Sequence, residues 1–220
     1  MPIVALVLVL LAVSPALAQP PREKLPLFTV DAHAATAGLP QAEGWVPVVS
    51  GDTELPGRAW GFGGGATIYP FRFGLVTFGF GASLLTAKGS GESLTIITGS
   101  GETATTRITP AVHTGVTHLI PQVSINFGHK FGWSYLSAGL GRSKVTSRAD
   151  AVGTTPEDVV PAAWNQAINF GGGAKWFMKP HLGASFDVRW IKLSSRSATA
   201  TLPAAKRTQM WNISAGISIQ

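Results

Sequence analysis

The sequence predicts an all-β protein, namely a closed, antiparallel, up-and-down barrel of eight strands that crosses a membrane. Hydrophobic residues make up 45% of the 220 residues and charged residues only 13%, whereas a typical soluble domain is about 25% charged. Glycine occurs 26 times, and much of it lies inside predicted strands, where it weakens a sheet that faces water. Beyond residue 18, no apolar run approaches the roughly 20 residues of a membrane-spanning helix. Strands of this composition need a solvent other than water on one face.

The first 18 residues have the pattern of a cleavable export signal. The apolar run at 3–13 is too short to span a bilayer as a helix. Ala16 and Ala18 then supply the small residues that a signal peptidase recognises. A short membrane anchor is the alternative. We expect a signal peptide at 1–18, a short flexible periplasmic tail at 19–26, and a barrel over 27–220.

Eight segments show the period-two alternation of strands whose two faces meet different surroundings. In the clearest of them, Leu119, Val123 and Phe127 lie on one face, and Gln122 and Ser124 lie on the other. We interpret them as eight strands of about ten residues, which is the length of a tilted transmembrane strand. The segments are 28–35, 60–68, 76–84, 119–127, 136–141, 168–176, 182–190 and 211–219.

The connections between these segments alternate between long and short. Long connections are predicted at 38–58, 88–115, 147–163 and 194–207, and short turns at 69–72, 128–132 and 178–180. Outer-membrane barrels show the same asymmetry, with long external loops and tight periplasmic turns. In the second loop, 94–98 and 103–108 flank a Gly-Ser-Gly sequence. They are predicted to form a hairpin above the membrane or, alternatively, two further strands that would make ten.

Aromatic residues mark both ends of the predicted strands, as expected for interfacial anchors. We expect the large side chains to point outward into lipid, and the Gly, Ser and Asn face to line a narrow lumen that side chains nearly fill. Predicted for the outer ring are Trp60, Trp164, Trp190 and Trp211. Predicted for the inner ring are Tyr69, Phe71, Phe73, Phe131, Trp133, Trp176 and Phe177.

The sequence resembles the small bacterial outer-membrane β-barrel superfamily, which includes the OmpA transmembrane domain, OmpX and porin-like barrel domains. The resemblance covers about 27–220 and is carried by 134–141 (SYLSAGLG), 171–176 (GGGAKW) and 187–190 (DVRW). It implies a location in the bacterial outer membrane and insertion by the outer-membrane assembly machinery. One departure is the final residue, Gln220, because such barrels usually end in an aromatic residue.

Five ionisable residues fall on the predicted lumen face: Asp31, His33, Lys175, Asp187 and Arg189. Buried charges must be paired or solvated. We therefore expect the two aspartates to neutralise the lysine and the arginine in a salt-bridge plug. A gate or a proton-coupled path is the alternative. An eight-stranded barrel is too narrow for an open aqueous channel.

Basic residues cluster near the predicted outer rim: Arg142, Lys144, Arg148, Lys192 and Arg196. They are predicted to hold lipopolysaccharide phosphates by charge-assisted hydrogen bonds, and a solvated loop surface is an equally weighted alternative. The expected partners are outer-membrane lipid and lipopolysaccharide, the assembly machinery and an unidentified surface ligand, but not nucleic acid. The chain has no cysteine, and we predict no cofactor and no metal site.

The predicted function is a structural or surface-interaction role in the outer membrane, without catalysis. One alternative is a narrow porin-like channel for ions or small solutes. A second is a lipid A-modifying enzyme at the membrane rim, near which His113 and His118 are predicted to lie and in which serines are plentiful. Such an enzyme needs a nucleophile beside a base, and no spacing in the sequence singles out one set of residues.

Overall fold

The computed structural model describes residues 24–47, 53–98 and 104–220, so the predicted signal peptide and most of the predicted tail lie outside the described residues. None of the described residues belongs to a helix that is long and apolar enough to cross a membrane. The strands are β1 (Phe28–Gly38), β2 (Arg58–Phe73), β3 (Val76–Gly91), β4 (Thr95–Thr98), β5 (Thr105–Ile108), β6 (Val112–His129), β7 (Gly132–Ala149), β8 (Asp158–Lys179), β9 (Leu182–Leu193) and β10 (Thr208–Ile219).

Eight of these strands form a closed antiparallel barrel in the order β1, β2, β3, β6, β7, β8, β9, β10. The last strand returns to the first, with Val30 opposite Ile219 and Ala37 opposite Asn212. Among the described residues, strands β4 and β5 pair only with each other, as a hairpin between β3 and β6. The predicted barrel is therefore confirmed with eight strands rather than ten.

The barrel strands are longer than the sequence pattern predicted. Strands β6 and β7 each have 18 residues and β8 has 22, so they continue into segments predicted as loops. The predicted turn at 69–72 is wrong, because β2 runs on to Phe73 and the turn is Gly74–Leu75. A register shift between Ile68 and Phe71 accommodates Pro70, which has no N–H to donate to the neighbouring strand.

The outward positions of the barrel form a continuous apolar belt. Large hydrophobic side chains are exposed on all eight barrel strands, among them Val30, Phe62, Leu84, Val123, Leu140, Phe170, Phe186 and Ile217. A soluble monomer rarely exposes a contiguous apolar patch larger than a few hundred Å², whereas a transmembrane barrel carries such a band over its whole circumference. The exterior is therefore built to face lipid.

The predicted aromatic rings are only partly correct. Trp60, Trp164, Trp176 and Trp190 do face outward. Tyr69, Trp133 and Phe177 instead point into the lumen, where all three are buried. Trp133 lies directly opposite the lumen-facing Lys175, and alternation then places Phe177 on the same face. The prediction that every large side chain points into lipid therefore fails at the inner end of the barrel.

Candidate functional site

The lumen has three layers along its length. The outer plug is a buried hydrophobic cluster formed by Leu39, Trp45, Ala59, Ala87, Val116, Val145, Ala167, Ile191, Leu193, Ala205 and Met210. The inner plug is formed by Leu25, Tyr69, Trp133 and Phe177, with Tyr135 packed against it. The polar layer between them holds the five ionisable residues predicted from the sequence. The alternation of the strands brings these residues together because all five lie on the same face of their strands.

One half of the polar layer is built around Asp31 on β1. The Lys175 ammonium on β8 donates to both carboxylate oxygens of Asp31, at 2.7 and 2.6 Å, and to the Thr29 hydroxyl at 3.0 Å. The Ser218 hydroxyl on β10 also donates to Asp31. Both charges of the pair are thus satisfied by partners on three strands, as buried ions require.

The other half is built around Asp187 and Arg189, which lie two residues apart on β9 and therefore on the same face. The guanidinium of Arg189 donates to both carboxylate oxygens of Asp187, from Nε and, at 3.0 Å, from Nη2. The Tyr135 hydroxyl on β7 donates to the same carboxylate. The remaining guanidinium nitrogen of Arg189, Nη1, donates to Gln122 on β6.

Glycines make room for this layer. A Cβ at Gly173 would lie 2.8 Å from the Tyr135 hydroxyl, and a Cβ at Gly63 would collide with the ring of His33. His33, the fifth predicted lumen residue, is half-buried and borders the same cavity as Asp187 and Arg189. The structure thus gathers all five predicted residues in one layer, four of them in two ion pairs.

The space left in the polar layer is small. Two cavities there have volumes of about 40 and 30 Å³, which is room for a few water molecules at most. Asp31, Gln122, Tyr135 and Arg189 border both cavities. Within the described residues, the polar layer therefore leaves no open passage between the two apolar plugs.

The inner plug includes part of the segment predicted as a flexible tail. Leu25 is buried against the aromatic side chains of this plug. Within the plug, Trp133 stacks on Phe177 with ring centroids 5.2 Å apart, and Tyr69 meets Trp133 edge-on at 5.9 Å. Leu25, which falls in the segment predicted as a tail, is therefore part of the inner plug and covers the end of the lumen.

The outer plug joins the first and fourth external loops. Trp45 is buried, and its indole N–H donates to the Lys206 carbonyl at 2.7 Å. The Arg196 guanidinium lies 5.2 Å from the centroid of the Trp45 ring and donates to the Gly44 carbonyl at 3.0 Å. Partial burial lowers the pKa of Arg196. Because its contacts are with Gly44 and Trp45, Arg196 belongs to the outer plug and lies apart from the other four residues predicted to contact lipopolysaccharide.

Those other four residues point outward near the outer end of the barrel. Nε of Arg148 lies 3.8 Å from Oδ1 of Asp150, and Nη1 of Arg148 lies 3.8 Å from Oε1 of Glu157. The charge of Arg148 is therefore partly balanced. The Lys144 ammonium lies 5.5 Å from the Trp164 ring centroid, and the Lys192 ammonium lies 5.5 Å from that of Phe170. We call Arg142, Lys144 and Lys192 the basic rim.

Sequence reasoning missed a hydrogen-bonded Ser–His–Asp chain on the outer face of the barrel. The Ser90 Oγ lies 2.9 Å from Nδ1 of His113, and Nε2 of His113 lies 3.1 Å from Asp150 Oδ2. The residues belong to β3, to β6 and to the segment just after β7. No local spacing encodes this arrangement, because it depends on the register of three strands. Of its three members, the sequence indicates only His113 as a candidate base.

His118 forms a second Ser–His pair inside the barrel. Its Nδ1 lies 2.6 Å from the Ser143 hydroxyl, and both side chains are buried. Its Nε2 has no hydrogen-bond partner among the described residues. The described part of the chain also contains no group of three or more His, Cys, Asp or Glu residues placed to hold a metal ion.

Neither a protein-family model nor a curated protein matches this chain. Several solved structures do resemble it. Neisserial surface protein A is 15% identical, with 88% of this chain and 97% of that chain covered and a TM-score of 0.47. The outer membrane protein OprG from Pseudomonas aeruginosa is 14% identical, with coverages of 90% and 97% and a TM-score of 0.44. Ail, the attachment invasion locus protein of Yersinia pestis, is 10% identical, with coverages of 87% and 97% and a TM-score of 0.42.

Proposed function

We propose that this protein is an integral outer-membrane barrel with a closed lumen, whose basic rim binds lipopolysaccharide phosphates. The apolar belt around all eight strands carries the first half of the proposal, because such a surface is stable only in lipid. Insertion by the outer-membrane assembly machinery belongs to the same proposal. Heat-modifiability on a denaturing gel, combined with cell fractionation, tests it. A compact band in the outer-membrane fraction is expected, and a freely soluble monomer would contradict it.

The filled lumen favours a structural role over the alternative of a narrow channel. Two ion pairs cross the polar layer, and a hydrophobic plug lies on each side of it. An ion on this route would leave water for an apolar plug, which is costly without compensating partners. Planar-bilayer recordings of the purified protein should therefore show no conductance steps. Reproducible steps would support the channel instead.

The basic rim supports lipopolysaccharide as the lipid partner. The Lys144 ammonium lies beside the outward Trp164 ring, and the Lys192 ammonium lies beside the outward Phe170 ring. Tryptophan is enriched at the membrane interface, where lipid phosphates lie. A lysine near an anionic lipid surface contributes about 1 kcal/mol, or about fivefold in affinity. Three such cations on one side of the barrel would together favour a phosphate-bearing lipid of the outer leaflet.

The test compares two lysine–aromatic pairs at opposite ends of the barrel. Replacing Lys144 by Ala should weaken binding of lipopolysaccharide to the purified protein by about fivefold. The matched control is Lys130→Ala, since Lys130 lies 4.9 Å from the centroid of the Phe131 ring at the inner end. Equal losses of affinity in the two variants would mean that the barrel does not bind lipopolysaccharide specifically at its outer rim.

A further inference from the structure

We propose that Ser90, His113 and Asp150 are the nucleophile, base and orienting carboxylate of a hydrolase that cleaves acyl esters of outer-leaflet lipids. The site lies on the outer face of the barrel and shares no residue with the basic rim or the lumen. It goes beyond the proposed function, and it revises the expectation of a protein without catalysis.

The strand register assembles the site. Ser90 on β3 is paired with His113 on β6, which in turn is paired with Arg148 on β7. The three side chains therefore form one lateral row on the outer face. Asp150 lies two residues beyond Arg148, on the same side, and its backbone N–H donates to the Ala111 carbonyl at 2.9 Å. Main-chain pairing thus holds every member of the row in place.

The hydrogen bonds fix the tautomer that a general base needs. An ionised carboxylate only accepts hydrogen bonds, so Nε2–H of His113 donates to Asp150. Nδ1 of the neutral ring is then the acceptor, and the Ser90 hydroxyl donates to it. The base is hydrogen-bonded to the nucleophile and oriented by a third group, which is the arrangement that activates a serine.

The position of the row indicates the substrate. Trp60 is paired with Lys88 and faces outward, and exposed indoles settle at the membrane interface. Ser90 lies two residues beyond Lys88 on the same face, about 7 Å further along the strand. This places the hydroxyl on the headgroup side of the indole layer. Both side chains beside it remain open to this layer, since those of His113 and Asp150 are 37% and 43% exposed.

The chemistry balances with water as the only co-reactant. Ser90 Oγ bonds to the ester carbonyl carbon while its proton passes to His113 Nδ1, and negative charge develops on the carbonyl oxygen. Arg148 is the cation of the same row that can stabilise this charge. The ester C–O bond then breaks, and the departing alcohol takes the proton from His113. Water adds to the acyl-serine with His113 again as base, which releases a fatty acid and restores Ser90.

The lumen provides a matched control. Ser143 and His118 form a hydrogen bond of 2.6 Å, but both are buried, and no carboxylate in the described part of the chain is hydrogen-bonded to the second ring nitrogen. This pair lacks access to lipid and lacks an orienting acid. The pair should therefore not react with esters, even though Ser143 and His118 are closer together than Ser90 and His113.

A fluorophosphonate probe, which forms a covalent adduct with activated serines, tests the triad on the folded protein in detergent. Mass mapping should place the adduct on Ser90. Ser90→Ala should abolish labelling, His113→Asn should slow it by about a hundredfold or more, and Ser143→Ala should leave it unchanged. Heat-modifiability confirms that each variant is folded. Absence of an adduct on Ser90, or labelling that is unaffected by His113→Asn, would overturn the assignment.

The lipid substrate is tested by fatty acid release from two sources. The protein is presented with phosphatidylethanolamine vesicles and, separately, with purified lipopolysaccharide. Release from either source that is lost in Ser90→Ala and kept in Ser143→Ala supports the proposal and identifies the lipid. An adduct on Ser90 without release from either source would overturn the lipid ester as substrate. Because Lys144→Ala tests lipopolysaccharide binding separately, failure of one proposal is distinguishable from failure of the other.

Discussion

Polar side chains line the middle of the lumen and apolar side chains fill its two ends, although the same strands build both. In the polar layer, charged and hydroxyl side chains point inward and apolar ones outward. At the ends, the inward residues of the strands are mainly aliphatic in the outer plug, where they surround the loop residue Trp45, and aromatic in the inner plug, where Leu25 packs on them. Satisfied ion pairs give the middle a defined register, while apolar packing seals the ends. The difference shows that a narrow barrel need not have a polar lumen along its whole length.

The largest effect should come from breaking the pair at the centre of the polar layer. Asp187→Ala would leave the Arg189 guanidinium buried without its carboxylate, and it would remove the acceptor of Tyr135. We expect a loss of about 4 kcal/mol in the free energy of unfolding, measured by denaturant unfolding in lipid vesicles. Glu157→Ala, which removes an exposed partner of Arg148, should cost less than about 1 kcal/mol. Equal effects would contradict the burial of the central pair.

The outer plug should respond to the loss of packing rather than of charge. Leu193 is fully buried there, so Leu193→Ala should cost about 3 kcal/mol through lost burial and a residual cavity. Leu140, which is 71% exposed on the lipid face, is the control, since Leu140→Ala leaves no cavity in protein and should cost far less. The same unfolding assay compares the two. A larger loss for Leu140→Ala would place the core on the wrong side of the sheet.

A single hydroxyl gives the smallest of these effects. Tyr135→Phe removes the donor to Asp187 but keeps the ring that packs on the inner plug. A hydrogen bond to a charged group is worth about 2 kcal/mol, and the expected loss of unfolding free energy is of this size. If the loss matched that of Asp187→Ala, the hydroxyl rather than the ion pair would organise the layer.

Much of the architecture follows from local sequence, because alternation and loop length act over short distances. They predicted eight strands and the β4–β5 hairpin, and they placed Asp31, Lys175, Asp187 and Arg189 on one face. They fail where the course of the chain depends on its pairing with a neighbouring strand. Pro70 suggested a turn, but the bulge between Ile68 and Phe71 lets β2 continue.

The site formed by Ser90, His113 and Asp150 shows more clearly what local sequence cannot predict. Ser90, His113 and Asp150 come together only through the register of β3 with β6 and of β6 with β7. A shift of one residue in either pairing would move the partners to opposite faces. Sequence spacing contains no record of that register, so the sequence points to His113 as a candidate base but does not point to Ser90 and Asp150 as its partners.

Two tryptophans at the inner end of the barrel test directly which face of the sheet contacts lipid and which lines the lumen. Trp133 is 3% exposed in the lumen, and Trp176, on the neighbouring strand, is 53% exposed on the outer face. Single-tryptophan variants that retain one or the other, with the remaining tryptophans replaced by Phe, are inserted into vesicles of lipids with brominated acyl chains. Quenching of Trp176 fluorescence with little quenching of Trp133 is the predicted result. Equal quenching, or stronger quenching of Trp133, would contradict the division between a lipid-facing exterior and a filled lumen.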